Sequence, residues 1–177
     1  MLFHTLSNKI KIEAKKIGFS KVGIAKAKIL NEDASYLDHW LSNQYHGSMH
    51  WIEARKKERL DINTYYPNAK SIISVAINYF TGYANDYFTD HKISNYAWGD
   101  DYHLLVKSKL KELLKSIKNY DEDIDGICCV DTSPISEKAW AQQAGIGWIG
   151  KHTNLITREF GSWVFLGELV VNCELEY

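Results

Sequence analysis

A chain of 177 residues, 45% apolar and 24% charged, is long enough to bury one hydrophobic core and too apolar to stay disordered. Its 21 basic and 22 acidic residues leave a net charge of −1, so it lacks the basic excess that marks most nucleic-acid-binding domains. No apolar run approaches the roughly 20 residues of a membrane span, and the N-terminus has no secretory h-region, so a cytoplasmic protein with no membrane partner is expected.

In chain order, Phe3, Leu6, Ile10, Ala14 and Ile17 recur at steps of three and four and predict an amphipathic helix that stops at Gly18. Val22 and Ile24 alternate as a short strand. Leu37, Trp40 and Leu41 predict a second helix, broken near His46-Gly47. Residues 71–79, introduced by the turn Pro67-Asn68, are apolar on both faces and read as a central strand. Residues 81–100 are polar, aromatic and aperiodic, a loop of the length usually kept for function or motion. Val106, Leu110, Leu113, Leu114 and Ile117 then mark a helix with lysines on its outer face. Residues 126–130 form a second buried strand ending at Asp131, Thr132-Ser133-Pro134 punctuates, and a helix runs to about Ala144. Two last strands, 154–157 and 162–172, flank a turn at 159–161. The pattern predicts one domain over 1–177, an α/β fold of the α+β sandwich kind with a central sheet flanked by helices.

Several residue groups bear on chemistry. Gly145-Ile-Gly147-Trp-Ile-Gly150 spells the dinucleotide pattern, but that pattern needs a strand before it and a helix N-terminus after it. Here a helix precedes and a strand follows, so a helix C-cap and a tight backbone passage are expected instead. Asp131 stands at the carboxyl end of a buried strand, where α/β proteins place ligands; it serves equally well as the N-cap of the next helix, with Glu137 nearby. His46 and His50 have a metal-compatible spacing but no evident third ligand, and no metal site is assigned. The run Arg55-Lys-Lys-Glu-Arg59 reads as a wet helix face before it reads as a phosphate contact. Cys128, Cys129 and Cys173 form no C-x-x-C pair and are expected as reduced thiols.

Five stretches, in order, carry a family resemblance: His46-Gly-Ser-Met-His-Trp51; Pro67-Asn-Ala-Lys-Ser-Ile-Ile73; Trp98-Gly-Asp-Asp-Tyr-His103; Val130-Asp-Thr-Ser-Pro134; and Ala144-Gly-Ile-Gly-Trp-Ile-Gly-Lys151 running on to Gly161-Ser-Trp-Val-Phe-Leu-Gly-Glu168. Together they resemble the N-terminal, cobalamin-binding domain of the epoxyqueuosine reductase family, over nearly the whole chain. The resemblance implies a nitroreductase-like, cobalamin-handling fold. It also implies reduction of epoxyqueuosine to queuosine at the wobble position of tRNAs with a GUN anticodon, using cobalamin and 4Fe–4S clusters. Asp131 falls on the family's catalytic acid, which would protonate the departing epoxide oxygen and would need a raised pKa through burial under the corrin. Arg59, Ser94, Asp131, Leu155 and Leu166 match its cofactor-binding positions, the leucines beside backbone amides. Tyr102 and His103 either face the substrate or order the loop.

The departure is at the C-terminal end, where the family's Cys-x-x-Cys-x-x-Cys-x-x-x-Cys-Pro run is absent and no cysteine fits a cluster. An iron–sulfur domain or reductase acting in trans is therefore expected, with the chain alone inactive or dependent on an artificial reductant. Two other function classes stand beside this one: a cobalamin-binding module without queuosine chemistry, and a flavin-binding nitroreductase-like protein.

Overall fold

The structure is a computed structural model and describes residues 5–82 and 93–177. In chain order the elements begin with α1 (Leu6–Ile17), β1 (Lys21–Lys26), α2 (Asn31–Ser42) and the short helices α3 (His50–Ala54), α4 (Lys56–Leu60) and α5 (Ile62–Tyr65). They continue with β2 (Ser71–Asn78), a 3-10 turn at Asn95–Ala97, α6 (Tyr102–Lys118), β3 (Gly126–Cys129) and α7 (Glu137–Gln143). The two-residue strands β4 (Trp148–Ile149) and β5 (Leu155–Ile156) precede β6 (Val164–Val171). Phe3 and half of the long aromatic loop, residues 83–92, lie outside the described residues.

Four strands form one sheet in the order β1-β2-β6-β3, every neighbouring pair antiparallel, while β4 and β5 make a separate ribbon. Successive strand residues point to opposite faces, and helices cover both. On one face α1 and α6 set Ile10, Ala14, Val106, Leu110 and Leu113 against Ile73, Val75, Leu169 and Val171. On the other, α5 and α7 set Ile62 and Trp140 against Ile72, Cys129 and Val170. Double coverage explains why residues 71–76 are all buried, and the expected sandwich stands. Such two-sided burial is more common in parallel sheets. The strand directions here are set by long connections that the apolar pattern alone does not encode.

Helix ends follow local chemistry. The Asp101 side chain accepts the His103 N–H at 2.9 Å and opens α6. At the end of α7, Gly145 takes φ +73°, its N–H donating to the Gln142 carbonyl and that of Ile146 to Ala141. A glycine adopts that left-handed turn without a Cβ penalty. The glycine-rich stretch is thus a C-cap leading into β4, with no helix N-terminus to receive a pyrophosphate. The N-cap of α7 is Ser136, so Asp131 is not a capping residue. Cys128, Cys129 and Cys173 are free, and burial pushes the Cys129 thiol up to about 12, so it stays protonated. Among the described residues no helix is long and apolar enough to cross a membrane.

The seat of α7 on the sheet is backbone against backbone: a Cβ added at Gly23 of β1 would lie 2.0 Å from the Ala144 carbonyl oxygen. Gly23→Ala is therefore expected to cost about 1–3 kcal/mol by overpacking. A thermal melt checks this, and an unchanged midpoint would show that α7 sits further from β1.

Candidate functional site

The site is assembled where β3 ends. Val130 is buried, and the next residue, Asp131, turns out of the sheet with φ +46° and an exposed carboxylate. Two side chains hold that turn. Glu137, the first residue of α7, accepts the Asp131 backbone N–H in a short hydrogen bond. His103, in the first turn of α6, brings Nε2 to 3.1 Å from Asp131 Oδ2. The other ring nitrogen, Nδ1, lies 2.6 Å from Asp101 Oδ1, so one imidazole bridges two carboxylates. Partial burial works against a charged ring, but the hydrogen bonds and charges of Asp131 and Asp101 outweigh it and raise the His103 pKa. A ring flanked in this way donates from both nitrogens as imidazolium.

Behind Asp131 lie two more carboxyls. Burial pushes Glu137 up to about 7; the Asp131 N–H it accepts opposes the shift, and the Asp131 charge adds to it. Glu168, on β6, is fully buried opposite Ser74 of β2, whose hydroxyl donates to Oε1 at 3.2 Å. Its Oε2 has no partner among the described residues. Burial, and then the charge of Glu137, raise its pKa well above the ordinary carboxyl range, which keeps it neutral.

Asp101 and Asp131, at the two ends of the hydrogen bonds through His103, line different cavities. The larger, about 800 Å³, has an aromatic wall. Tyr102 stacks on Phe165 at 4.0 Å and 2°, Tyr79 stacks on the same ring at 4.4 Å, and Tyr102 also stacks on His103 at 4.0 Å. Burial, and then the Asp131 charge, push the Tyr102 phenol up to about 12, so it remains a neutral donor. The smaller cavity, about 390 Å³, is lined by Trp51, Arg59, Asp131, Ser136 and Glu137 among others. Volumes of this size suit small-molecule and cofactor sites.

The structure therefore brings Asp131 and Arg59 to one cavity. The Arg59 guanidinium lies 5.2 Å from the Trp51 ring centroid, and its Nε is buried without a partner among the described residues. Arg59 is thus not part of a wet helix face, unlike Arg55, paired with Glu58, and Lys56, paired with Asp38. Ser94 is exposed and precedes Asn95, which lines the larger cavity. The Leu155 side chain is core, packed with Ala76, Ala141 and Ile146, and Leu166 packs at the edge of that cluster. What the Leu155 position can offer a ligand is its backbone.

Sequence reasoning left His103 between two roles; the structure ties it to Asp131, 28 residues on. It also missed the part played by Glu137 as acceptor of the Asp131 N–H, and the burial of Glu168. An acidic residue in an otherwise apolar strand is the one signal that singles out Glu168.

Residues 59–132 match the family described as epoxyqueuosine reductase QueG, DUF1730. A curated epoxyqueuosine reductase of Cellulophaga algicola is 43% identical over 173 residues, 97% of this chain and 56% of the relative. The chain spans about half the length of the curated relatives it matches. The solved epoxyqueuosine reductase of Streptococcus thermophilus superposes with a TM-score of 0.80 at 32% identity, covering 95% of this chain and 46% of that one. An epoxyqueuosine reductase solved with an epoxyqueuosine-modified tRNA-Tyr stem loop gives a TM-score of 0.81 at 28% identity, with 97% and 46% covered. The Bacillus subtilis enzyme, solved with an aspartate-bearing catalytic loop swung out of the active site, gives 0.82 at 28% identity, again with 97% and 46% covered. A reductive dehalogenase, with a TM-score of 0.55 and 12% identity over 96% of this chain and 19% of its own, shares the fold.

Glu137 is half-buried at the start of α7. Its folded-state pKa of about 7 lies above the ordinary value of 4.5, so its contribution to stability is present at low pH and lost as pH rises through about 7. The loss is at most about 3 kcal/mol. Glu137→Gln keeps an acceptor for the Asp131 N–H and should shrink the fall in melting temperature between about pH 5 and 8. An unchanged pH slope would show that Glu137 does not titrate in that window.

Proposed function

We propose, from the premise that this chain belongs to the epoxyqueuosine reductase family, that it forms the pocket and supplies the proton for cobalamin-dependent reduction of epoxyqueuosine in tRNA. The observation that carries the reading is the hydrogen-bonded sequence Asp101–His103–Asp131, which runs from Asp101 in the lining of the aromatic cavity to Asp131 in the lining of the smaller one. The stem-loop complex of a relative supports tRNA as the substrate carrier.

The cleft suits a corrin in two respects. Arg59 has a buried N–H in need of an acceptor, and the corrin's peripheral amides supply carbonyl oxygens. The wall of Tyr79, Phe165 and Tyr102 offers aromatic surface in the larger cavity. In this reading Arg59, Ser94, Leu166 and the backbone at Leu155 hold the cofactor, in a nitroreductase-like domain. Cobalamin, when bound, supplies the reducing chemistry at the substrate carbon, with electrons from 4Fe–4S clusters carried outside these residues.

The chain's own residues handle the proton. Breaking the epoxide C–O bond leaves an alkoxide, a poor leaving group until protonated, and Asp131 is the acid that protonates it. The Asp131 side chain is 58% exposed, so a neighbouring group has to resupply the proton it gives up. His103 takes that part: as imidazolium at 3.1 Å it returns a proton to Asp131, and Asp101 holds the ring so that the same nitrogen faces Asp131 each time. Tyr102, stacked on the ring, fixes its plane.

With cobalamin, a low-potential chemical reductant and an epoxyqueuosine-containing stem loop, Asp131→Asn is expected to lower turnover by ~10²–10⁴-fold, the usual weight of a positioned acid. Its cobalamin spectrum should match that of the unmodified chain. Undiminished turnover in the variant would remove Asp131 from the mechanism. A flavin spectrum after incubation with FMN, and none with cobalamin, would instead favour a nitroreductase-like activity.

A further inference from the structure

Away from the cleft, the turn between α2 and α3 gathers a set of donor groups that the proposed reaction does not use. His46 lies in the turn, His50 opens α3, and Glu53 follows one helical turn later on the same face. One donor atom from each of the three lies within 4.8 Å of the other two. The third ligand that the His46–His50 spacing lacks in sequence is therefore supplied by the fold.

A second observation points to a ligand at the same place. His46 is only 5% exposed, and its Nδ1 is buried without a hydrogen-bond partner among the described residues. Leaving a buried ring nitrogen unpaired is costly, and a coordinate or hydrogen bond recovers that cost. The ring is fixed from two sides, by Trp40 at 5.8 Å and by the edge-to-face ring of His50 at 5.4 Å. His50 and Glu53 are exposed, so the cluster opens to solvent, into a cavity of about 330 Å³ whose lining contains no lysine or arginine. Glu53 forms no ion pair among the described residues, so its charge is not already committed.

We propose that His46, His50 and Glu53 form a site for a divalent transition ion of the zinc class, bound by two imidazoles, one carboxylate and solvent. Two nitrogens and one carboxylate oxygen are the donors such ions prefer, whereas calcium and magnesium favour all-oxygen sets. Three protein ligands leave a position for water. The ion would clip the turn onto α3, the helix that carries Trp51. Because Trp51 lies under the Arg59 guanidinium and both line the cavity of Asp131, the clip braces one wall of the cleft.

The test uses the untagged chain, stripped with a chelator and titrated with Zn²⁺ by calorimetry and with Co²⁺ by visible absorption. One ion per chain is expected. His50→Ala and Glu53→Gln, both at exposed positions outside the core, should each weaken binding by at least ~10-fold, with circular dichroism unchanged. Absence of saturable binding, or binding that either variant leaves intact, overturns the three-ligand site.

Discussion

The left-handed backbone turn at Asp131 is the constraint on which the site depends. A non-glycine residue at φ +46° sits in a sparsely populated region, at a cost of about 1–3 kcal/mol unless its surroundings hold it there. Aspartate is among the few residues that tolerate the conformation. Three parts of the fold converge to maintain it. The pairing of β3 with the central strand β6 fixes where the turn begins, α7 presents Glu137 to the Asp131 N–H, and α6 presents His103 to its carboxylate. The result is a carboxylate that faces a cleft instead of capping a helix.

Charge is graded across the same few residues. At the rim, Asp101 and Asp131 share His103 and stabilise its protonated ring. One layer in, Glu137 is poised near neutrality, and at the centre of the sheet Glu168 is neutral. Burial, and then the charge of the neighbouring carboxylate, raises the cost of charging Glu137 and Glu168, so ionisation is favoured at the surface and opposed inside. That arrangement lets the sheet bury acidic residues beneath a reactive rim without an unpaired interior charge.

Much of the scaffold was legible because helix and strand periods are local. The apolar steps of α6 and the continuous apolar run of β2 map directly onto the two-sided core. Asp131 was legible as a residue at a strand end, and the rejection of a dinucleotide loop followed from the order of helix, glycines and strand. Contacts between distant segments were not legible. His103 meets Asp131, 28 residues away, only once the chain has folded. The antiparallel strand order is equally non-local, since burial on both faces suits either direction. Leu155 illustrates the opposite limit: the resemblance marks the position, while packing commits its side chain to the core.

A protonated His103 held by Asp131 is the centre of the proposed proton path, and an NMR titration of its imidazole measures it directly. The predicted result is a midpoint above the ordinary value of about 6.5, moving back toward it when Asp131 is replaced by Asn. A midpoint at or below about 6.5, or one indifferent to the replacement, would contradict the account.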